Sequence, residues 1–304
     1  MPLKEISNNE KKDKSQKLFY VIQPKFTFEN VILADETVAK IKQVLALYEY
    51  NSLIFEEWGL NKVIQNQKRL FLNFYGNPGT GKTMTAHAIA SYLKKSLLIV
   101  NYAEIESKFV GDTSKNLIAL FEYARSQDCV ILFDEADALL SKRVTSMSSA
   151  SDVSVNQTRN VLLKILDEYE GIVIFTTNFF ENFDHAFLRR IYAHIELEMP
   201  DKKTRNRLWE HYLVEKFPIS EKRNMLIDKL SDYEDMSGAD IANAMLKTAG
   251  SIALAKRKFA SFSDFEEVIT AIQNTKEKYS DSNIQMTIKK VSKKTVEDKL
   301  GGTL

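Results

Sequence analysis

Residues 76–83 read GNPGTGKT, and what this octapeptide is decides the fold. Gly, four residues, Gly, Lys and then Thr is the spacing of a phosphate-binding loop. Gly76, Gly79 and Gly81 admit positive φ and let backbone N–H groups approach phosphate oxygens. Lys82 offers a flexible point charge for the β- and γ-phosphates, and Thr83 a hydroxyl for Mg²⁺. Asn77, Pro78 and Thr80 complete the cradle. Met84 follows in a helix whose partial positive N-terminus faces the same anion.

The flanks separate such a loop from a merely flexible Gly turn. RLFLNFY (69–75) has the length and apolar character of a strand, and TMTAHAIASYL (83–93) has helical spacing at Met84, His87, Ala88, Ser91 and Tyr92. Further strands are predicted at SLLIVNY (96–102), CVILF (129–133), GIVIFTTN (171–178) and AHIELEMP (193–200). Helices are predicted between them at about 113–126 and 155–169. Uniformly apolar strands alternating with helices indicate a parallel sheet covered on both faces. Upstream, residues 1–24 read as a mobile polar tail despite the patch LFYVI, and Asp35 is expected to cap a helix carrying Val38, Ile41, Leu45 and Tyr48. After Pro200 the pattern is helical only, clearest at 238–257, where Ser237 and Asp240 can form a capping box. The stretch 276–304 reads as frayed, with QMTIKKV as a possible short strand, and the Ser-rich 145–154 as a flexible loop.

Hydrolysis needs a second metal contact and a group that prepares water. Asp134 closes the apolar strand 129–133 and suits Mg²⁺; Glu135 follows it and suits a general base. Asn178 ends another strand, where an α/β sheet presents ligands. An Asn there serves a turn equally well.

Composition sets bounds. The 304 residues suffice for a buried core and suggest two domains. Lys and Arg number 42 against 41 Asp and Glu, so no global field argues for nucleic acid or an anionic membrane. Basic residues gather near both ends, as solvated tails or docking arms. Cys129 alone excludes an intramolecular disulfide, and the four histidines have no ligand spacing. Neither a signal peptide nor an apolar run of membrane-spanning length is present, which makes the cytoplasm the expected compartment.

GNPGTGKT, VILFDEAD, IVIFTTN and FDHAFLRRIYAHIELEMP, in this order, resemble an AAA ATPase of the AAA+ superfamily. MSGADIANAMLKTA resembles that family's lid, with its Ser-Gly-Ala-Asp signature. The likeness covers about residues 26–275. It implies an α/β P-loop NTPase with a five-stranded parallel sheet, order 5-1-4-3-2, followed by a small α-helical lid. The expected boundaries are a tail at 1–25, the α/β part at 26–200, the lid at 201–275 and a second tail at 276–304. ATP and Mg²⁺ are implied as ligands, at the subunit boundaries of a homo-oligomeric, hexameric ring.

The resemblance makes Asn178 the first sensor and gives Arg189 and Arg190 the role of arginine fingers completing a neighbour's site. Such a finger is worth about 10³–10⁵ in rate. These two are adjacent where many relatives place Pro-Gly between them, so which one leads stays open, with Arg190 favoured as at least one. Gly238 and Ala239 would let the lid approach adenine, and Ile32, in FENVILADE, would close over the base. SKFVGDTSKNL (107–117) resembles pore loop 1, with Lys108, Phe109 and Val110 facing a translocating polypeptide. Packing of Phe109 under its own loop is the alternative. The 145–154 loop stands in the place of pore loop 2.

The favoured reading is a motor that remodels or unfolds protein partners, delivered by an adaptor or by the short N-terminal tail. The other readings are a nucleotide-gated loader on nucleic acid and a non-translocating ATPase scaffold.

Overall fold

The computed structural model describes residues 19–64, 68–100, 113–140, 150–178 and 183–278. Lys108, Phe109, Val110, residues 145–149 and QMTIKKV lie outside the described residues. The chain divides into two compact units, Met1–Met199 and Pro200–Leu304.

The first unit is built on one sheet. Its strands are β1 (Phe19–Ile22), β2 (Leu70–Tyr75), β3 (Leu97–Val100), β4 (Val130–Phe133), β5 (Ile172–Thr177) and β6 (Ala193–Glu196). They lie in the order β1-β3-β4-β5-β2-β6. The expected five-stranded sheet is therefore corrected to six. The extra member is β1, which pairs antiparallel with β3, Phe19 opposite Val100; the other pairings are parallel. Residues 19–22 thus leave the tail to which composition assigns them. Four residues, with only Phe19 and Ile22 half-buried, give too short an alternation to stand out from a polar flank. Phe19 is fixed instead by tertiary contact, its ring 5.2 Å from that of Tyr123.

Alternation along the strands feeds two cores. On one face Phe71, Ile131, Phe133, Val173 and Phe175 pack with Leu117, Leu120 and Phe121 of α3 (Thr113–Ser126) and Leu162 and Leu166 of α5 (Ala150–Glu168). On the other, Leu70, Leu72, Phe74, Val130, Leu132, Ile172 and Ile174 meet Ile41 and Leu45 of α1 (Asp35–Glu49) and Ala86 and Ile89 of α2 (Lys82–Tyr92). Each fully buried Leu, Ile or Phe contributes about 1.5–3 kcal/mol, so the sheet is the rigid body on which loops can be held. Two sequence expectations shift here. Asp35 is the first residue of α1, with Ala34 in the cap position. Residues 150–154, expected in the flexible Ser-rich loop, belong to α5. The short helices α4 (Asp137–Leu140) and α6 (His185–Leu188) follow β4 and precede β6.

The second unit is helical: α7 (Lys202–Tyr212), α8 (Arg223–Ser231), α9 (Gly238–Leu254) and α10 (262–278). A single parallel bridge, Ile219 to Ala260, is its only β pairing among the described residues. Asp201 caps α7, its carboxylate accepting from Thr204 N at 2.8 Å. The capping box of α9 forms as the sequence predicts: Asp240 N donates to Ser237 Oγ, and Ser237 N donates to the Asp240 carboxylate at 2.9 Å. The Trp209 and Phe265 rings meet edge to face at 5.8 Å in its core.

Candidate nucleotide site

The site forms where β2, β4 and β5 end. After Tyr75 the chain must leave the sheet directly under the continuation of β6, and Gly76 permits this at φ 133°. A Cβ there would lie 2.4 Å from the Leu197 carbonyl oxygen, which no side chain tolerates. Gly81, at φ 98°, is the residue from which α2 starts. Thr80 Oγ1 closes the loop on the Asn77 carbonyl at 2.9 Å, while Asn77 and Pro78 stay exposed.

Lys82 is only 9% exposed. Its Nζ donates to the carbonyls of Gly76 and Asn77, both at 2.8 Å. Burial pulls its pKa down, against the opposing fields of Asp137, Asp134 and Glu135. The next residue, Thr83, donates from Oγ1 to Asp134 at 2.9 Å and 3.1 Å. A hydroxyl and a carboxylate thus converge from two elements beside a lysine, the hard oxygen donors Mg²⁺ selects. The residues present fit a phosphate chain with its cation. Met84 is half-buried and packs against the core that contains Ile41 and Leu45.

All four residues of β4 are buried, which fixes Asp134 at the strand's C-terminal end. Phe133 and Phe175 stack at 5.2 Å beneath it. Glu135 is exposed and takes φ 52°, a left-handed conformation a non-glycine residue adopts only when its surroundings hold it there. The holder is Thr176 of β5, which sequence reading missed. Its hydroxyl accepts from Glu135 N at 3.0 Å and donates to Asp134 Oδ1 at 2.5 Å, and its carbonyl accepts from Ala136 N at 2.8 Å. One residue further, Thr177 Oγ1 donates to Asp137 Oδ1, which also accepts from Asn178 N at 3.0 Å. Asn178 is thereby tied to the start of α4. The signal lay in the sequence: two threonines precede Asn178, and Asp137 stands three residues after Asp134.

On α2, His87 Nδ1 accepts from Lys25 N at 3.2 Å, and its ring meets Phe26 edge-on at 5.5 Å. Burial first, then Lys25, lowers its pKa, with Asp134 opposing. This docks the segment leading to Ile32, itself half-buried between the core residues Val31 and Leu33.

Arg189 and Arg190 follow α6, which Asp184 caps by accepting from Ala186 N at 2.9 Å. Their environments differ. Arg190 donates from Nε and Nη2 to the two oxygens of Asp167, both at 2.7 Å, and from Nη1 to the Ala186 carbonyl at 2.9 Å. Arg189 is exposed, and its guanidinium has no partner among the described residues. In the second unit Gly238 is the first residue of α9 and half-buried, and Ala239 is exposed.

A glycine cradle with Lys82 and Thr83, an acid pair at the end of a buried strand and a polar strand end beside it define a P-loop nucleotide-binding protein. The family described as "ATPase family associated with various cellular activities (AAA)" matches residues 72–199. A proteasome-activating nucleotidase of Methanococcus maripaludis is 32% identical over 277 residues, covering 88% of this chain and 65% of the relative. One of Saccharolobus solfataricus is 31% identical over 272 residues, 86% of this chain and 67% of the relative. A probable 26S proteasome regulatory subunit 4 of Caenorhabditis elegans is 32% identical over 252 residues, 80% of this chain and 55% of the relative. This chain belongs to the AAA family. It spans about 65% of the length of the Methanococcus relative. Among the described residues no helix is long and apolar enough to cross a membrane.

Proposed function

We propose that the chain hydrolyses ATP with Mg²⁺ as part of a hexameric ring of copies and uses the energy to remodel or unfold protein partners in the cytoplasm. The observation that carries this reading is the convergence of Lys82, Thr83, Asp134 and Glu135 at one end of the sheet, with Arg189 exposed on the same unit and unpaired among the described residues. Lys82 exchanges the carbonyls of Gly76 and Asn77 for the terminal phosphates, and the N–H groups of residues 79–84 cradle the rest. Thr83 and Asp134 hold Mg²⁺, whose charge, when bound, offsets the charge developing on the phosphates. Glu135, presented outward by Thr176, accepts the proton of the attacking water. Asn178 contacts the γ-phosphate or orients that water. The finger arginines of one copy complete the site of the next.

The same reading makes 26–200 the nucleotide-binding part and 201–275 a lid, with Gly238 and Ala239 as the lid's candidate adenine contacts and Ile32 as a candidate contact to the base from the first part. Lys108, Phe109 and Val110 line the ring's channel and grip a polypeptide by apolar contact. Replacing Glu135 by Gln tests the chemistry. ATP binding is expected to persist while turnover falls by about 10²–10⁴, and the stalled protein is expected to retain its protein partner on purification. Unchanged turnover in Glu135→Gln would remove the proposed base.

A further inference from the structure

We propose that Asp167 is a positioning residue that settles which of the two adjacent arginines serves the neighbouring site: it clamps Arg190 within its own chain and leaves Arg189 as the acting finger. This rests on the reading that the site is completed by a second copy.

The clamp is bidentate. Asp167 lies in the last turn of α5 and meets Arg190 Nε and Nη2 with one oxygen each at 2.7 Å, while the Ala186 carbonyl takes Nη1 at 2.9 Å. Parallel N–H···O pairs of this kind are the most directional a guanidinium makes. Arg190 therefore has its cationic fork directed at a carboxylate in cis and competes poorly for a phosphate in trans. Arg189 carries the same charge, one residue earlier, with no such partner among the described residues. Both line one cleft of about 400 Å³ with Lys68 and Arg69. The hydrogen bonds from Arg190, then its charge and last the field of Arg69, hold the Asp167 carboxyl below the ordinary carboxylate range against its slight burial, so the clamp stays ionised at neutral pH. The pair's side chains are 27% and 50% exposed. Ion pairs so open to water add little to stability, and the fixed geometry is the larger consequence of the contact.

Releasing the clamp should let Arg190 substitute for Arg189. Three variants are compared for ATP turnover: Arg189→Ala, Asp167→Asn with Arg189→Ala, and Arg190→Ala. Arg189→Ala should lose about 10³-fold in turnover with ATP affinity kept. Adding Asp167→Asn should restore roughly tenfold or more of that loss, and Arg190→Ala should cost less than Arg189→Ala. A second readout is independent of turnover. Phenylglyoxal modification mapped by mass spectrometry should label Arg189 and spare Arg190 in the wild type, and label both in Asp167→Asn. Asp167→Asn is isosteric and exposed, and a thermal melt verifies folding of each variant. No recovery in the double variant, equal labelling of both arginines in the wild type, or Arg190→Ala as the more damaging change would overturn the proposal. If Arg189→Ala with Arg190→Ala together left turnover intact, completion by a second copy would itself fail, and the clamp with it.

Discussion

At the scale of single residues, Thr176 is the clearest case of a side chain whose work is done through others. It is buried, yet its hydroxyl accepts from Glu135 N and donates to Asp134, holding both acids of the site at once. Thr176→Val keeps the volume and removes the hydroxyl, leaving a partly buried N–H without its acceptor at a cost of about 1 kcal/mol. Turnover is expected to fall by roughly 10–100-fold with ATP affinity changed far less; an equal loss in both would show that the hydroxyl serves binding. His87 makes a different prediction. Its Nδ1 accepts the Lys25 N–H only when that nitrogen is unprotonated, and burial lowers its pKa below the ordinary 6.5. The unfolded chain therefore binds the extra proton first. The stability His87 contributes is complete above pH 6.5 and is lost as pH falls through the lowered folded value. His194, also lowered by burial, acts in the same sense. Urea midpoints should fall below pH 6.5, and His87→Asn, which keeps an acceptor without the titration, should flatten the fall. A profile as steep in His87→Asn as in the wild type would exclude His87 as a source.

At the scale of elements, β4 shows how packing becomes chemistry. Asp134 and Glu135 are held at the end of a four-residue strand buried throughout, and the stack of Phe133 on Phe175 fixes that end. Phe133→Ala should cost about 3–5 kcal/mol, read as a lower denaturant midpoint at unchanged slope. It should also depress turnover more than Leu132→Ala, whose side chain packs on the opposite core. The strands that carry the site were legible in the sequence because their residues are apolar on both faces and bounded by Gly, Asp or Asn. The α9 capping box was legible for an equally local reason, the spacing of Ser237 and Asp240. What escaped was decided across the sheet. β1 exists because β3 offers it an edge, and Thr176, Thr177 and Asp137 acquire their roles only when β4 and β5 lie side by side. The difference between Arg189 and Arg190 is of the same kind, since Asp167 lies 23 residues before Arg190 and no local pattern links them.

At the scale of the whole molecule, a site shared between copies has a consequence that no single-chain mechanism shares. On the proposed mechanism Glu135→Gln lacks the base but keeps the finger, whereas Arg189→Ala lacks the finger and keeps the base. Each alone is expected to be nearly inactive. In a mixture, a subunit that retains Glu135 can sit beside one that retains Arg189, and that boundary is complete. If copies exchange freely in equal proportion, this pairing occurs at about a quarter of boundaries, and turnover should recover to at most roughly a quarter of the wild-type rate. The recovery should grow with total protein concentration, because dilution separates the copies, and it should follow the exchange of subunits in time. Mixing two inactive proteins can create activity only if the halves of the site come from different chains. Mixtures that exchange subunits, as judged by native mass spectrometry of isotope-labelled copies, and yet stay inactive at every ratio would place the entire reaction within one chain.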